Sequence, residues 1–122
     1  MVEGEPQRAW NCYCGRCRKA RAAGHATNLL VAEDGLRFTR GEDELGSYKV
    51  PDARFFTHVF CRTCGSSMPR TDRERGFAVI PMGSLDDDPG FRPKGHIFVS
   101  DRAPWIGIHD ELPQHEASPP PA

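Results

Sequence analysis

The segments Cys12-Tyr13-Cys14-Gly15-Arg16-Cys17 and Cys61-Arg62-Thr63-Cys64-Gly65 hold all five cysteines of the chain. Thiols two or three residues apart can turn their sulfurs toward one small tetrahedral ion, whereas a disulfide between such close neighbours would strain its ring. The odd count also argues against a closed disulfide framework. Zinc ligation is therefore the expected chemistry. On an extended segment Cys12 and Cys14 leave the same face, and Gly15 permits a tight turn that swings Cys17 toward them. Three thiolates on one zinc leave a fourth position for water or substrate, as a catalytic site requires.

Cys61 and Cys64 follow a β-prone run ending at Phe60, and Gly65 suits a knuckle turn whose backbone N–H groups reach the sulfurs. Two ligands alone hold zinc poorly. Cys14, Cys17, Cys61 and Cys64 together form two C-x2-C knuckles, enough for one closed site in which zinc only staples the fold. The separation between those knuckles far exceeds the roughly 15 to 20 residues of a compact ribbon, and Cys12 is left over. A redox pair at Cys61 and Cys64 lacks the βαβ setting such motifs use.

The elements that must position these groups read as mainly β. The runs at 27–31, 36–40, 45–50, 54–60, 77–82 and 96–100 are short and β-prone, with Asp34-Gly35, Gly41, Pro51-Asp52 and the 72–76 stretch as punctuation. Strands at that pitch predict a small antiparallel β-sheet domain. In the 54–60 run both faces carry apolar side chains, which predicts a central strand. A short helical turn or loop is expected over 19–26. The 85–93 stretch is a polar surface connection, and its three adjacent aspartates lack the alternation and terminal Glu of a calcium loop. Residues 1–116 are expected to form a single domain, and 117–122, rich in Ser and Pro, a disordered tail.

Sixteen basic and seventeen acidic residues give a net charge of −1. That balance excludes the positive field of a nonspecific nucleic-acid binder. Arg8, Arg16, Arg18, Lys19 and Arg21 nevertheless surround the first cysteine group, with no acid between Gln7 and Leu30, so a small anion could be drawn there. The start of the chain lacks the positive flank and apolar run of a secretory signal, and no apolar stretch approaches the roughly 20 residues of a spanning helix. A cytoplasmic protein without a membrane partner is expected, in keeping with clustered, unpaired thiols.

Asn11 to Lys19, Phe60 to Ser66 and His96 to Trp105, taken in that order, resemble the glutathione-dependent formaldehyde-activating enzyme (centromere protein V) family. The resemblance runs from about Cys12 to Glu116. It implies a β-rich, tent-like fold with two zinc sites and, for the named member, addition of glutathione to formaldehyde. It implies that Cys12, Cys14 and Cys17 hold the catalytic zinc, and that Cys61 and Cys64 belong to a structural zinc site. In the family that second site is completed by an upstream Cys-x-Cys-Gly block, and this sequence starts after its place, so a shortened domain is expected. Recruiting Cys14 and Cys17, pairing the knuckles across a homodimer, or leaving Cys61 and Cys64 without metal are the three ways such a domain could manage. His25 or His58 could supply an outside ligand, although a lone His is more often simply packed or exposed.

The function expected from the resemblance is that of a zinc-dependent carbon–sulfur lyase joining glutathione thiolate to formaldehyde or a related small aldehyde, with Arg16, Arg18 and Lys19 anchoring the thiol's carboxylates. The alternative is a noncatalytic zinc-stapled binding module with a closed four-cysteine site. His96 and Arg102 read as a polar pair at a strand end, and Trp105 as a core anchor. Ser66 and Ser67 have no neighbouring base in sequence.

Overall fold

In a computed structural model, described over residues 1–119, the chain is mainly β. Its strands are β1 (Arg8–Cys12), β2 (Ala26–Ala32), β3 (Leu45–Lys49), β4 (Thr57–Cys61), β5 (Arg70–Asp72), β6 (Phe77–Pro81) and β7 (His96–Ile97). Among the described residues one α-helix, α1 (Gly15–Arg21), lies between β1 and β2. The main sheet has the order β5-β6-β2-β1-β7, and β3 with β4 forms a separate hairpin. Every pairing is antiparallel except that of β1 with β7, which makes the main sheet mixed.

Alternation along the strands gives the sheet two different faces. Ala9 from β1, Leu29 and Val31 from β2, and Ala78 and Ile80 from β6 are fully buried on one face, where Val2, Leu36, Met82, Leu85 and Phe91 pack against them. The residues between them point the other way. Trp10 lies opposite Asn28, Arg8 opposite Leu30, and Leu30 opposite Val79, so this second face collects apolar and cationic side chains around the end of β1. Cys12 closes β1 on that same face, since it stands two residues beyond Trp10.

The run expected as a central strand over 54–60 is instead β4 of the two-stranded hairpin, and its first residues belong to the turn joining β3 to β4. β2 is central, because its two buried residues on one face fit between β1 and β6. The 36–40 run is not a strand; Leu36 makes a single bridge with Val2 after a tight turn over Glu33–Gly35. The helix covers Gly15–Arg21, earlier than the turn expected over 19–26. Trp105 is 68% exposed and anchors no core. From the tail, the Ala117 carbonyl accepts the Phe98 N–H at 3.0 Å, and Ser118 and Pro119 line a cavity with Phe98; residues 120–122 of the tail assignment lie outside the described residues.

Candidate metal centre

Cys12 ends β1, Cys14 caps the helix and Cys17 lies in its first turn. The turn expected at Gly15 is thus a helix start: the Cys14 sulfur accepts the Cys17 N–H at 3.3 Å, as a capping side chain does, and the Cys14 carbonyl accepts from Arg18 at 2.9 Å. This folds the three sulfurs together, all within 4.8 Å of one another. Sulfurs on a tetrahedral zinc stand about 3.8 Å apart, given Zn–S bonds of about 2.3 Å, so the cluster fits such an ion with small side-chain rotations. Soft sulfur donors suit zinc better than magnesium or calcium. Cys12 is buried while Cys14 and Cys17 are partly exposed, which leaves the cluster open on one side.

The three thiols share protons. Hydrogen bonds from Cys12 and then Cys17 hold the Cys14 thiol far below its ordinary range, with the backbone N–H groups of Cys17 and Arg16 adding to the effect. The Cys12 thiol is pushed up to about 12, first by its hydrogen bond to Cys14. Cys17, hydrogen-bonded to both others, is also pushed up. Cys14 is therefore the first of the three to ionise.

Behind the cysteines runs a chain of polar side chains that sequence reasoning did not assemble. The Tyr13 hydroxyl meets His96 Nδ1 at 2.9 Å, and His96 Nε2 meets the two Asp110 carboxylate oxygens at 2.9 and 3.1 Å. Asp110 can only accept, so Nε2 donates to it; in the neutral imidazole Nδ1 is then the acceptor for the Tyr13 hydroxyl. Asn11 has its amide nitrogen 3.5 Å from the same Nδ1, and its oxygen accepts from Thr27 at 2.7 Å. Burial pushes the Tyr13 phenol up, the Asp110 charge adds to this and Arg102 opposes it. Asp110 is held below the usual carboxylate range, chiefly by its hydrogen bond to His96 and next by the Leu112 N–H. His96 is 2% exposed, so its place is internal, and Arg102 is exposed.

Cys61 and Cys64 lie at the far end of the hairpin, outside the three-sulfur group. Gly65 has a left-handed backbone (φ 79°), and its N–H bonds the Cys61 carbonyl at 2.7 Å, closing the knuckle. Cys64 is exposed, its sulfur is 3.2 Å from the Ser66 hydroxyl, and its thiol is lowered first by that hydrogen bond. His25 is packed on Tyr13 with ring centroids 4.9 Å apart, and His58 stacks on Phe60. Burial, followed by the charge of Arg21, lowers the His58 imidazole. Among the described residues, neither histidine joins a group of three metal ligands.

A cavity of about 690 Å³ opens on the three sulfurs. Its cationic lining is larger than the local sequence suggested: Arg16 and Arg18 come from α1, Arg54 from the hairpin turn, Arg70 from β5 and Arg75 from the β5–β6 turn. Asp101 is the acidic residue among them. Lys19 does not line the cavity. Arg16 also donates to the Asp52 carbonyl at 3.3 Å, which ties the hairpin turn to the helix and makes it one wall of the site.

Asp72 fixes the arginines on the opposite wall. Its carboxylate accepts from Arg75 Nε at 2.7 Å and lies 3.5 Å from Arg70. Burial alone would raise its pKa, but the Arg75 side-chain and backbone hydrogen bonds and both guanidinium charges outweigh that, and the net shift is downward. A depressed carboxylate contributes stability above its unfolded value, about 3.9, and loses it as pH falls through the lower folded value. Asp72→Asn is therefore expected to lower stability at neutral pH and to flatten the acid side of the stability curve below about pH 4. Urea unfolding at a series of pH values checks this; an acid limb as steep as that of the unsubstituted protein would refute it.

Comparison with protein families matches residues 1–101 to a family described as glutathione-dependent formaldehyde-activating enzyme. Comparison with curated proteins finds no match. Among solved structures, the chain is similar to a crystal structure of a Rhodobacter sphaeroides protein from structural genomics, at 25% identity and a TM-score of 0.56, covering 78% of this chain and 89% of that one. Among the described residues no helix is long and apolar enough to cross a membrane.

Proposed function

The chain belongs to the family of glutathione-dependent formaldehyde-activating enzymes, and from that premise we propose that it is a zinc-dependent carbon–sulfur lyase of the cytoplasm, joining glutathione or a related small thiol to formaldehyde or another small aldehyde. The observation that carries this reading is the trio Cys12, Cys14 and Cys17, gathered in the wall of an open cavity also lined by arginines. Cys12, Cys14 and Cys17 would hold the zinc, which when bound would keep an incoming thiol ionised near neutral pH, below the value of about 8.5 for a free thiol.

The protein's own groups provide the rest. Arg16, Arg18 and Arg54 line the cavity, and their guanidinium forks suit the carboxylates of a peptide thiol whose sulfur meets the cysteines. Holding both reactants side by side supplies the proximity that the addition needs. Phe55, Phe56 and Phe98 line the same cavity and limit water around the reacting carbon. Chain residues Tyr13, His96 and Asp110 brace the loop from behind without entering the cavity. Cys61 and Cys64 are proposed as half of a second, structural zinc site, completed by ligands from elsewhere.

The test is zinc content per chain together with sulfur coordination by X-ray absorption, followed by the rate of glutathione–formaldehyde adduct formation above the uncatalysed rate. A three-sulfur zinc with one lighter ligand and an accelerated rate is expected. Zinc enclosed by four sulfurs, or no acceleration by the loaded protein, would overturn the proposal.

A further inference from the structure

A second cavity, of about 360 Å³, lies behind the sulfur cluster on the sheet face opposite the core, and Cys12 and Cys17 line it as well as the outer cavity. Its walls are rings and aliphatic groups: Phe56 and Phe98 roof it, while Trp10, Leu30, Phe77 and Val79 come from the alternate positions of β1, β2 and β6. Formaldehyde has no substituent to fill such a space. An apolar cavity of about 150 Å³ already accepts benzene, so this chamber has room for an aldehyde with a ring or a chain.

The chamber is also cationic. Arg8, Arg21, Arg70 and Arg75 line it, and among the described residues no carboxylate does; the acidic group facing Arg21 and Arg70 there is the Cys17 thiol. Asp72 partly neutralises Arg70 and Arg75 from the side. Arg21 spends one terminal nitrogen on Asn28 at 3.1 Å, but its Nε is buried without a hydrogen-bond partner among the described residues. Burial lowers the Arg21 pKa. That Nε is closed to solvent, so a carboxylate in the chamber would meet the Arg21 guanidinium at its terminal nitrogens, as a charge-assisted contact. Phe98 holds a left-handed backbone (φ 54°) between the two cavities, an unfavourable conformation for a bulky residue and one that concentrates at functional sites.

We propose that the aldehyde used at this centre carries a carboxylate, with its apolar body in the inner chamber and its carboxylate on Arg21 and Arg70. The thiol then occupies the outer cavity, and the two reactants meet at the cysteine cluster that both cavities share. The thiolate sulfur adds to the aldehyde carbon, one C–S bond forms, the carbonyl π pair moves to oxygen, and that oxygen takes up a proton to give the thiohemiacetal. The inference rests on the proposed function for the identity of the two reactants as a thiol and an aldehyde.

The test uses two nonreacting alcohol counterparts, 4-(hydroxymethyl)benzoate and benzyl alcohol, titrated into the full chain while Trp10 is followed by indole NMR, with and without saturating S-methylglutathione. A preference of about tenfold or more for the carboxylated probe is expected from one charge-assisted contact. Arg21→Leu should reduce the preference to within about threefold, and Arg21→Lys should retain part of it. S-methylglutathione should leave the carboxylated probe bound. Equal affinity for the two probes, a preference unchanged in Arg21→Leu, or displacement by S-methylglutathione would overturn the proposal, the last by assigning the chamber to the thiol's own carboxylate. Neither zinc nor turnover enters this measurement, so its failure is distinct from failure of the proposed function.

Discussion

Cys14→Ser is expected to weaken zinc binding by at least about 100-fold, and the combined replacement of Cys12, Cys14 and Cys17 to abolish it at this centre. Zinc bound by four protein ligands in small domains gains about 10 to 16 kcal/mol, so one ligand accounts for roughly 3 kcal/mol, or a factor above 100. Cys14 is the position of choice because it holds two roles: it is the thiol that ionises first, and its sulfur caps α1. Serine can still cap a helix. The substitution therefore separates loss of the metal from loss of the helix, which circular dichroism should show intact. Competition against a chromophoric chelator gives the affinity, and charge-transfer absorption of the cobalt-substituted protein reports the number of thiolates. Cys61→Ser should leave the affinity of this centre unchanged, because that sulfur lies outside the cluster. If Cys61→Ser weakened the same ion as much as Cys14→Ser, the closed four-sulfur arrangement would replace the open one. Affinity should also fall as pH is lowered, since thiols must lose protons to bind.

The cysteine cluster was legible in the sequence because its spacing is local: thiols two and three residues apart need only a strand end and a helical turn to converge. The apolar character of β2 and β6 was legible for a similar reason, since Leu29, Val31, Ala78 and Ile80 form short β-prone runs. β1 was hidden by its composition, because Arg8, Trp10 and Asn11 do not look like a buried strand. Their pattern makes sense only once β2 on one side and β7 on the other supply partners, with Asn11 paired to Thr27 and to His96. β5 is three residues long and is recruited by β6 across a turn. Missing these two strands also hid Arg70 and the second cavity, as the cationic group around the sulfurs is gathered from elements far apart in the chain. Trp105 misled because a large aromatic usually buries its area, yet here it follows a proline on the surface.

The Tyr13–His96–Asp110 chain was equally invisible, its members being 83 and 14 residues apart, and it supports the other large effect. His96→Ala is expected to cost about 3 kcal/mol of stability, equivalent to a fall of roughly 10 °C in melting temperature for a domain of this size. The loss has two sources. An imidazole that is 2% exposed leaves a cavity, and the Tyr13 hydroxyl, on a residue equally buried, loses its partner. Asp110→Asn should cost under about 1 kcal/mol, because its side chain is half exposed and an amide oxygen still accepts from His96 Nε2. Tyr13→Phe should fall between the two: the ring stays packed against His25 and His96, and Nδ1 keeps only the longer approach of Asn11. Since Tyr13 sits between two of the clustered cysteines and its backbone N–H bonds the Ile97 carbonyl at 3.1 Å, slack in this chain reaches the cysteine cluster directly. Zinc affinity in His96→Ala should therefore drop by about tenfold, the scale typical of lost outer supports of metal ligands. Urea unfolding and chelator competition on the same three variants check the order. Stability in His96→Ala within about 0.5 kcal/mol of the unsubstituted protein would mean that β1–β7 backbone pairing alone holds the loop, and that the polar chain behind it carries no weight.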